Sequence, residues 1–290
     1  MTEVTCVLPA NALLGEGPLW DPGDRVLYWV DIKRREIHRF EPASGHDQRW
    51  PVAEAVGCLA VRAAGGLVVA MRSGFHFFDP ATGRTTAIVN PEPDRPENRF
   101  NDGKPDRQGR FWAGSMHDPE TEPTGSLYRL DADLSCHRLV DGLVCSNALC
   151  WSPDSRTMYH ADTCDRTVWA WDFDPARGEV ANRRTFVEIP AGDGAPDGAT
   201  VDADGFLWLA HWDGWRLTRF DPAGRIERVV PLPVQRPTCP AFGGPDLDLL
   251  YVTSASINLS AAERAGQPLA GGIFAFRPGV RGLPEVRFRG

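Results

Sequence analysis

Phe40-Glu41-Pro42 is the first of six related tripeptides in this sequence, each an apolar residue followed by a residue that opens a turn. Successive copies start 38 to 56 residues apart, and a glycine follows most of them closely. The copies are Phe40-Glu41-Pro42, Phe78-Asp79-Pro80, Leu130-Asp131-Ala132, Phe173-Asp174-Pro175, Phe220-Asp221-Pro222 and Phe276-Arg277-Pro278. Repeats of about 40–50 residues built from strands and turns are typical of β-propeller blades. The six copies therefore predict six blades.

Each repeat also contains two segments rich in β-branched and aromatic residues, with the partial alternation of half-buried strands. In the first repeat these segments lie at residues 25–30 and 36–40. Glycine and proline interrupt the chain so evenly that only one short helix is expected, near residues 258–265. Strands near residues 4–8 and 285–288 are expected to close the ring edge to edge, which would leave no free sheet edge.

The predicted fold class is all-β. It is a six-bladed β-propeller in which each blade is a four-stranded antiparallel sheet, closed by N-terminal and C-terminal strands. Six blades of about 45 residues account for nearly the whole length, so residues 1–290 are expected to form a single domain. In such a fold, residues that are distant in the sequence can meet at the central axis.

Composition narrows the class of protein and its partners. The net charge of −8 argues against a nucleic-acid partner, which requires a basic surface. No apolar run approaches the roughly 18 residues of a membrane helix, and the start MTEVTCVLPA does not resemble a signal peptide. Seven cysteines without a Cys-x-x-Cys pair predict reduced thiols. We therefore expect a cytoplasmic monomer with no membrane or nucleic-acid partner.

Most aspartates in this sequence belong to polar turns ahead of a strand. Aspartate holds such turns by accepting hydrogen bonds from the backbone, and glycine supplies the positive φ. We therefore expect structural roles for Asp21, Asp106, Asp154, Asp202 and Asp246.

Four polar phrases are not required by the blade pattern, although those with Asn101 and Asp197 are each also compatible with a plain turn. Glu16 stands between two glycines and is a poor choice for a strand or a turn. The others contain Asn101, Asn147 and Asp197, and all four phrases precede a recognisable strand by a similar distance. Equivalent positions in different blades lie at the same end of the axis. Their carboxylate and amide oxygens therefore predict a site for one divalent cation.

These phrases resemble the gluconolactonase and senescence-marker-protein (regucalcin) family of six-bladed propellers. The matching stretches run from about residue 10 to about residue 278 and are Leu14-Gly15-Glu16-Gly17-Pro18, Asn98-Arg99-Phe100-Asn101-Asp102-Gly103-Lys104, Phe111-Trp112-Ala113-Gly114-Ser115-Met116, Ser146-Asn147 and Pro196-Asp197-Gly198. The resemblance implies hydrolysis of sugar-acid lactones with the help of a divalent cation. It implies that Glu16, Asn147 and Asp197 bind the metal, and that Arg99 and Asn101 contact the substrate.

Four further residues are notable beside these motifs. Asp102 follows Asn101 directly, and His117 follows the Phe-Trp-Ala-Gly-Ser-Met phrase; both are candidates for substrate contacts. His211 stands where an aliphatic residue is expected, so it either lines the pocket near Asp197 or is a buried strand histidine. Ala148 replaces the glycine usual after the metal-binding Asn, which predicts either a backbone without positive φ or local strain.

This site would support metal-assisted ester hydrolysis of an aldonolactone such as glucono-, xylono- or arabinonolactone. Asp197 is expected to act both as a ligand and as the general base towards water. Oxygen ligands suit Ca²⁺, Mg²⁺ and Mn²⁺ best, and Zn²⁺ and Fe(II) also tolerate carboxylates. The alternatives are another metal-dependent propeller esterase or phosphotriesterase, and a non-enzymatic calcium-binding or interaction propeller. A sugar-lactone assay abolished by a chelator separates an enzyme from the last class.

Overall fold

The structure is a computed structural model that describes residues 3–290 and contains 24 strands and one helix in that range. Strand β1 (Thr5–Leu8) is followed by five blades that take their strands in chain order. These are blade 1, β2 (Gly15–Asp21), β3 (Val26–Asp31), β4 (Glu36–Glu41) and β5 (His46–Pro51); blade 2, β6 (Val56–Val61), β7 (Leu67–Met71), β8 (Gly74–Asp79) and β9 (Arg84–Val89); blade 3, β10 (Asn98–Pro105), β11 (Phe111–His117), β12 (Gly125–Leu130) and β13 (Cys136–Leu143); blade 4, β14 (Ser146–Trp151), β15 (Thr157–Asp162), β16 (Thr167–Asp174) and β17 (Glu179–Glu188); and blade 5, β18 (Ala195–Val201), β19 (Leu207–Trp212), β20 (Arg216–Phe220) and β21 (Ile226–Pro231).

Blade 6 joins the two ends of the chain. It contains β22 (Pro237–Gly243), β23 (Leu249–Ser254), β24 (Ile273–Phe276) and, on its outer edge, β1, which pairs antiparallel with β24. The helix α1 (Ala261–Gly266) lies between β23 and β24, close to its predicted position. The innermost strands β2, β6, β10, β14, β18 and β22 contact one another in turn and form a closed ring. The predicted six-bladed propeller of four-stranded sheets is thus confirmed.

The C-terminal segment does not take the predicted place in the closure. The expected strand at residues 285–288 is wrong, because β1 already occupies the free edge of β24. The segment instead crosses the lower face of the propeller, where the innermost strands end and the second strands begin. The amide of Phe288 donates to the carbonyl of Val61 at 2.8 Å, and the amide of Arg289 donates to the carbonyl of Gly109 at 3.0 Å. These bonds tie the C-terminus to blades 2 and 3.

Aromatic side chains fill the spaces between neighbouring blades. Phe75 of blade 2 packs on Phe100 of blade 3 with ring centroids 4.8 Å apart. Trp112 of blade 3 meets Trp151 of blade 4 edge to face at 5.8 Å. Such contacts hold neighbouring sheets at a fixed angle, so the inner strands present their side chains to the axis in a defined geometry.

Two of the turn aspartates show the predicted structural role in full. Asp106 accepts hydrogen bonds from the backbone amides of Gln108 and Arg110 and from the indole of Trp112. Asp202 repeats this arrangement in blade 5 with the indole of Trp208 at 2.9 Å. Both turns lie at the lower face, away from the ends of the inner strands that carry Glu16 and its partners.

Candidate metal centre

All six innermost strands carry a register shift near their upper ends, where the pairing with the second strand skips a residue. A β-bulge of this kind bends the strand and changes the direction of a side chain. The shifts fall between Glu16 and Leu19, Val56 and Cys58, Phe100 and Gly103, Asn147 and Cys150, Pro196 and Ala199, and Pro237 and Pro240. Five of the predicted site residues stand at or inside these shifts: Glu16, Asn101, Asp102, Asn147 and Asp197. The expectation that Glu16 does not suit a strand is therefore wrong, because β2 accommodates it beside a bulge.

Five predicted residues meet in one cavity of about 170 Å³ at the upper end of the axis. Glu16 comes from blade 1, Arg99 and Asn101 from blade 3, Asn147 from blade 4 and Asp197 from blade 5. All five side chains are buried in the walls and at the base of this opening. The structure thus brings together the three predicted metal ligands and the two residues for which the resemblance implies substrate contacts.

A chain of hydrogen bonds connects three blades across the cavity. Nη1 of Arg99 donates to Oδ1 of Asn101 at 2.8 Å, and Nδ2 of Asn101 donates to Oδ1 of Asn147 at 3.1 Å. Nδ2 of Asn147 donates to Oγ1 of Thr163 at 2.8 Å, and this hydroxyl donates to the carbonyl of Pro196 at 2.9 Å. Because arginine can only donate, the whole chain has one direction. It fixes the orientation of both amides and ends beside Asp197.

The carboxyl groups at the axis raise one another's pKa. Burial and the neighbouring Asp102 raise the pKa of Glu16 to about 8. Burial, Glu16 and Asp102 raise the pKa of Asp197 well above its ordinary value. Within residues 3–290, no side chain donates a hydrogen bond to Glu16, whose Oε2 accepts only from the amide of Gly17 at 3.1 Å. Glu16 and Asp197 therefore present carboxylate oxygens that a cation would satisfy.

The donor set fits a single divalent cation with oxygen ligands. Two carboxylates and an amide oxygen are hard ligands of the kind that Ca²⁺, Mg²⁺ and Mn²⁺ accept. Across the described part of the chain, no three His, Cys, Asp or Glu side chains are placed to hold a metal together. The predicted set is different, since its third member is Asn147.

The other three predicted residues do not line the cavity. Asp102 is buried beside it, and its Oδ2 accepts a bond from the amide of Leu149 at 2.8 Å. Burial raises its pKa. His117 uses Nδ1 to accept from the amide of Glu122 at 3.2 Å, and its Nε2 lies 3.2 Å from a carboxylate oxygen of Glu97.

His211 is held behind the cavity wall by a neighbouring turn of the chain. Its Nδ1 lies 2.8 Å from the carbonyl of Asp193, and burial lowers its pKa to about 4. The adjacent Trp212 faces the cavity in its place. This arrangement matches the buried strand histidine, which is one of the two interpretations that the sequence allows.

Sequence reasoning missed several residues of the cavity. Thr163, Glu120 and Arg236 line it, and all three come from connections at the upper face, outside the motifs. Gly57 was also missed: a side chain there would meet the backbone oxygens of Phe100 and Asn101 at 2.5 Å. Only a glycine allows β6 to approach the site-bearing strand of blade 3 so closely.

The backbone of Ala148 follows the second of its two expectations, local strain, and not a conformation without positive φ. Its φ is 55°, in the left-handed region, as is that of Gly17 at 53°. Both residues follow a predicted metal ligand. An alanine in this region costs about 1–2 kcal/mol relative to its right-handed conformation. The fold therefore tolerates strain at Ala148 to direct Asn147 towards the axis.

The comparison with protein families agrees with this geometry. Residues 14–256 match the model of the family described as SMP-30/Gluconolactonase/LRE-like region. The chain belongs to this family. A 6-deoxy-6-sulfogluconolactonase of Pseudomonas putida is 39% identical over 287 residues, which is 98% of each chain. Regucalcin of Xenopus laevis is 36% identical and covers 99% of both chains.

Solved structures support the same relationship. A calcium-binding protein of Agrobacterium tumefaciens, also named regucalcin, superposes with a TM-score of 0.95 at 30% identity, over 99% of this chain and 98% of the other. The family resemblance drawn from the motifs is thereby confirmed, and the homology supports a lactone hydrolase. No helix among the described residues is long and apolar enough to cross a membrane.

Cys145 lines the cavity but is not expected to act as a nucleophile. Burial raises the pKa of its thiol well above the ordinary value, so the thiolate is not formed near neutral pH. We expect Cys145→Ser to change kcat/KM for a sugar lactone by less than about tenfold, against several orders of magnitude for a lost nucleophile. Cys150→Ser, which alters a buried thiol outside the cavity lining, is the matched control. A folded C145S protein without activity would contradict this expectation.

Proposed function

We propose that residues 1–290 form one cytoplasmic, monomeric, metal-dependent lactonase domain that hydrolyses a sugar-acid lactone to the open-chain acid. The observation that carries this proposal is the meeting of Glu16, Asn147 and Asp197, from three blades, in one cavity with Arg99 and Asn101. The seven free thiols support a reducing compartment. Neither a nucleic acid nor a membrane is part of the proposal.

Glu16, Asn147 and Asp197 would hold one divalent cation through their side-chain oxygens. Such a cation supplies Lewis acidity to an ester carbonyl and lowers the pKa of water at the site. The Agrobacterium relative is described as a calcium-binding protein, so Ca²⁺ is the first metal to test here, followed by Mg²⁺, Mn²⁺, Zn²⁺ and Fe(II).

The protein side chains supply proton transfer and substrate binding. Asp197 takes the proton of the water that adds to the lactone carbonyl. The bond between the carbonyl carbon and the ring oxygen then breaks, and the ring oxygen receives a proton to become the hydroxyl of the acid. Arg99 and Asn101 are hydrogen-bonded to each other and face the cavity, where they can bind the hydroxyls or the ring oxygen of the sugar.

We propose an aldonolactone as the substrate class, with glucono-, xylono- and arabinonolactone as the first members to test. Relatives named for sugar lactones, including the Pseudomonas enzyme, support this class. A chain that merely binds calcium or another protein would not consume any of them.

The test is proton release after addition of each lactone, measured with a pH indicator in weak buffer. We expect turnover that is lost after treatment with a chelator and restored by one or more of the five cations. Phenyl acetate and a phosphotriester serve as controls for the alternative hydrolases. Turnover of these esters without turnover of any lactone would contradict the proposal, as would lactonase activity that resists complete metal removal.

A further inference from the structure

A second cavity, of about 260 Å³, lies beside the candidate metal centre and shares Arg99 with it. Its walls come from connections at the upper ends of blades 1 and 2 and from blade 3. Its charged residues are four cations and two carboxylates: Lys33, Arg35, Arg72, Arg99, Glu54 and Asp118. The cavity therefore has a formal excess of two positive charges, whereas the whole chain has a net charge of −8. This local excess is opposite in sign to the rest of the protein.

Asp118 holds three of these cations together. Its Oδ1 accepts from Nζ of Lys33 at 2.9 Å and from Nε of Arg99 at 2.6 Å, and its Oδ2 accepts from Nη2 of Arg72 at 2.6 Å. Partial burial would raise the pKa of Asp118, but Arg99 and Lys33 outweigh burial and hold this pKa well below its ordinary value. One carboxylate cannot neutralise three cations, so the group retains a net positive charge. The hydrogen bonds to Asp118 hold the three cationic side chains in place.

The cationic side chains retain N–H donors that could form hydrogen bonds with a bound ligand. An ammonium group has three N–H donors, and the contacts of Lys33 within the described residues use one of them. The side chains of Lys33 and Arg72 are 33% and 36% exposed, so both are open to a ligand on one side. Preorganised groups of arginine and lysine are the usual means by which proteins bind sulfonate, phosphate or carboxylate groups.

Arg99 connects this second cavity with the first. Its Nε belongs to the Asp118 group, while its Nη1 bonds Asn101 beside the metal residues. An anion held in the second cavity would therefore lie next to the arginine for which we propose substrate contacts. A neutral sugar lactone has no group that requires the excess charge there.

We propose that the second cavity is a subsite for an anionic group carried by the lactone, at the end of the sugar remote from the carbonyl. The preferred substrate is then a sugar-acid lactone with a sulfonate, phosphate or second carboxylate. This inference rests on the proposed lactonase function. Arg72 and Lys33 act as specificity-determining residues, and they come from different blades, so each can be altered independently.

The experiment compares kcat/KM for gluconolactone with kcat/KM for its 6-phospho, 6-sulfo and 6-carboxylate counterparts. Each hydrogen bond between charged groups contributes substantially to binding. We therefore expect Arg72→Met and Lys33→Met each to lower the ratio of kcat/KM for the anionic lactone to kcat/KM for the neutral lactone by about 10- to 100-fold. Arg225→Met is the matched control, because this arginine is largely exposed in a lower-face turn and, among residues 3–290, its side chain pairs only with Asp221. The anionic group that gives the highest ratio identifies the preferred chemistry.

A binding measurement separates this inference from the lactonase proposal. Calorimetry with 6-phosphogluconate and with gluconate needs no turnover, and we expect tighter binding of the phosphorylated acid, lost in R72M and K33M. If no lactone is hydrolysed but this difference persists, the lactonase proposal fails and the subsite stands. Equal binding of the two acids, or folded R72M and K33M variants with the wild-type ratio, would overturn the subsite.

Discussion

Asp197→Asn is expected to lower kcat for a sugar lactone by about 10²–10⁴-fold even when the metal is saturating. The substitution keeps the size of the side chain and one oxygen that can still act as a ligand. It removes the group that accepts a proton from water. Without metal, burial and the neighbouring carboxylates raise the pKa of Asp197; a bound cation would oppose this rise and keep the carboxylate ionised, as a base requires. The measurement is turnover across a metal titration that reaches saturation.

Asp102→Asn is the matched control for this variant. Asp102 is also a buried carboxyl near the axis, but it does not line the cavity and accepts a bond from the amide of Leu149, which an asparagine oxygen can also accept. Its loss of turnover should be much smaller. Full recovery of D197N by added metal would mean that Asp197 is only a ligand. An equal loss in D102N would move the general base to Asp102.

The propeller was predictable because its signal is repeated and local. Each blade repeats a turn after its third strand and a run of β-branched or aromatic residues in its second and third strands. This pattern depends only on contacts within one blade, so it can be recognised locally in the sequence. The innermost strands lacked this signal. β10 (Asn98–Pro105) contains polar residues and a glycine, because several of its side chains face the polar axis while Phe100 packs against blade 2.

The cavity was predictable only where its residues belong to motifs. Glu16, Asn147 and Asp197 stand in phrases that the blade pattern does not need, so they are visible in one sequence. Thr163, Arg236, Lys33 and Arg72 lie in connections whose composition is ordinary for exposed turns. Their meeting depends on the angles between blades, and no local pattern in the chain encodes those angles.

Glu16→Gln is expected to weaken metal binding by more than about 10- to 100-fold, the range typical of changes to residues that only support a ligand. It removes one formal charge from the proposed ligand set while preserving shape. Calorimetry at pH 8 with the cation that restores activity measures the effect. Glu120→Gln is the matched control, because Glu120 lines the same cavity without belonging to the ligand set. Equal losses in both variants would indicate general electrostatics and not ligation by Glu16.

The same substitution should have the opposite effect on the metal-free protein. The pKa of Glu16 rises from 4.5 to about 8 on folding, so the folded state binds a proton that the unfolded state has released. Stability without metal therefore falls as pH rises from about 4.5 to about 8, and metal affinity rises over that interval because a proton no longer has to be displaced. In E16Q, thermal unfolding with a chelator should be less dependent on pH and should occur at a higher temperature than wild type at pH 8. A metal-free E16Q protein that is less stable than wild type at pH 8 would show that Glu16 is not held against neighbouring carboxylates, and the metal assignment would lose its electrostatic basis.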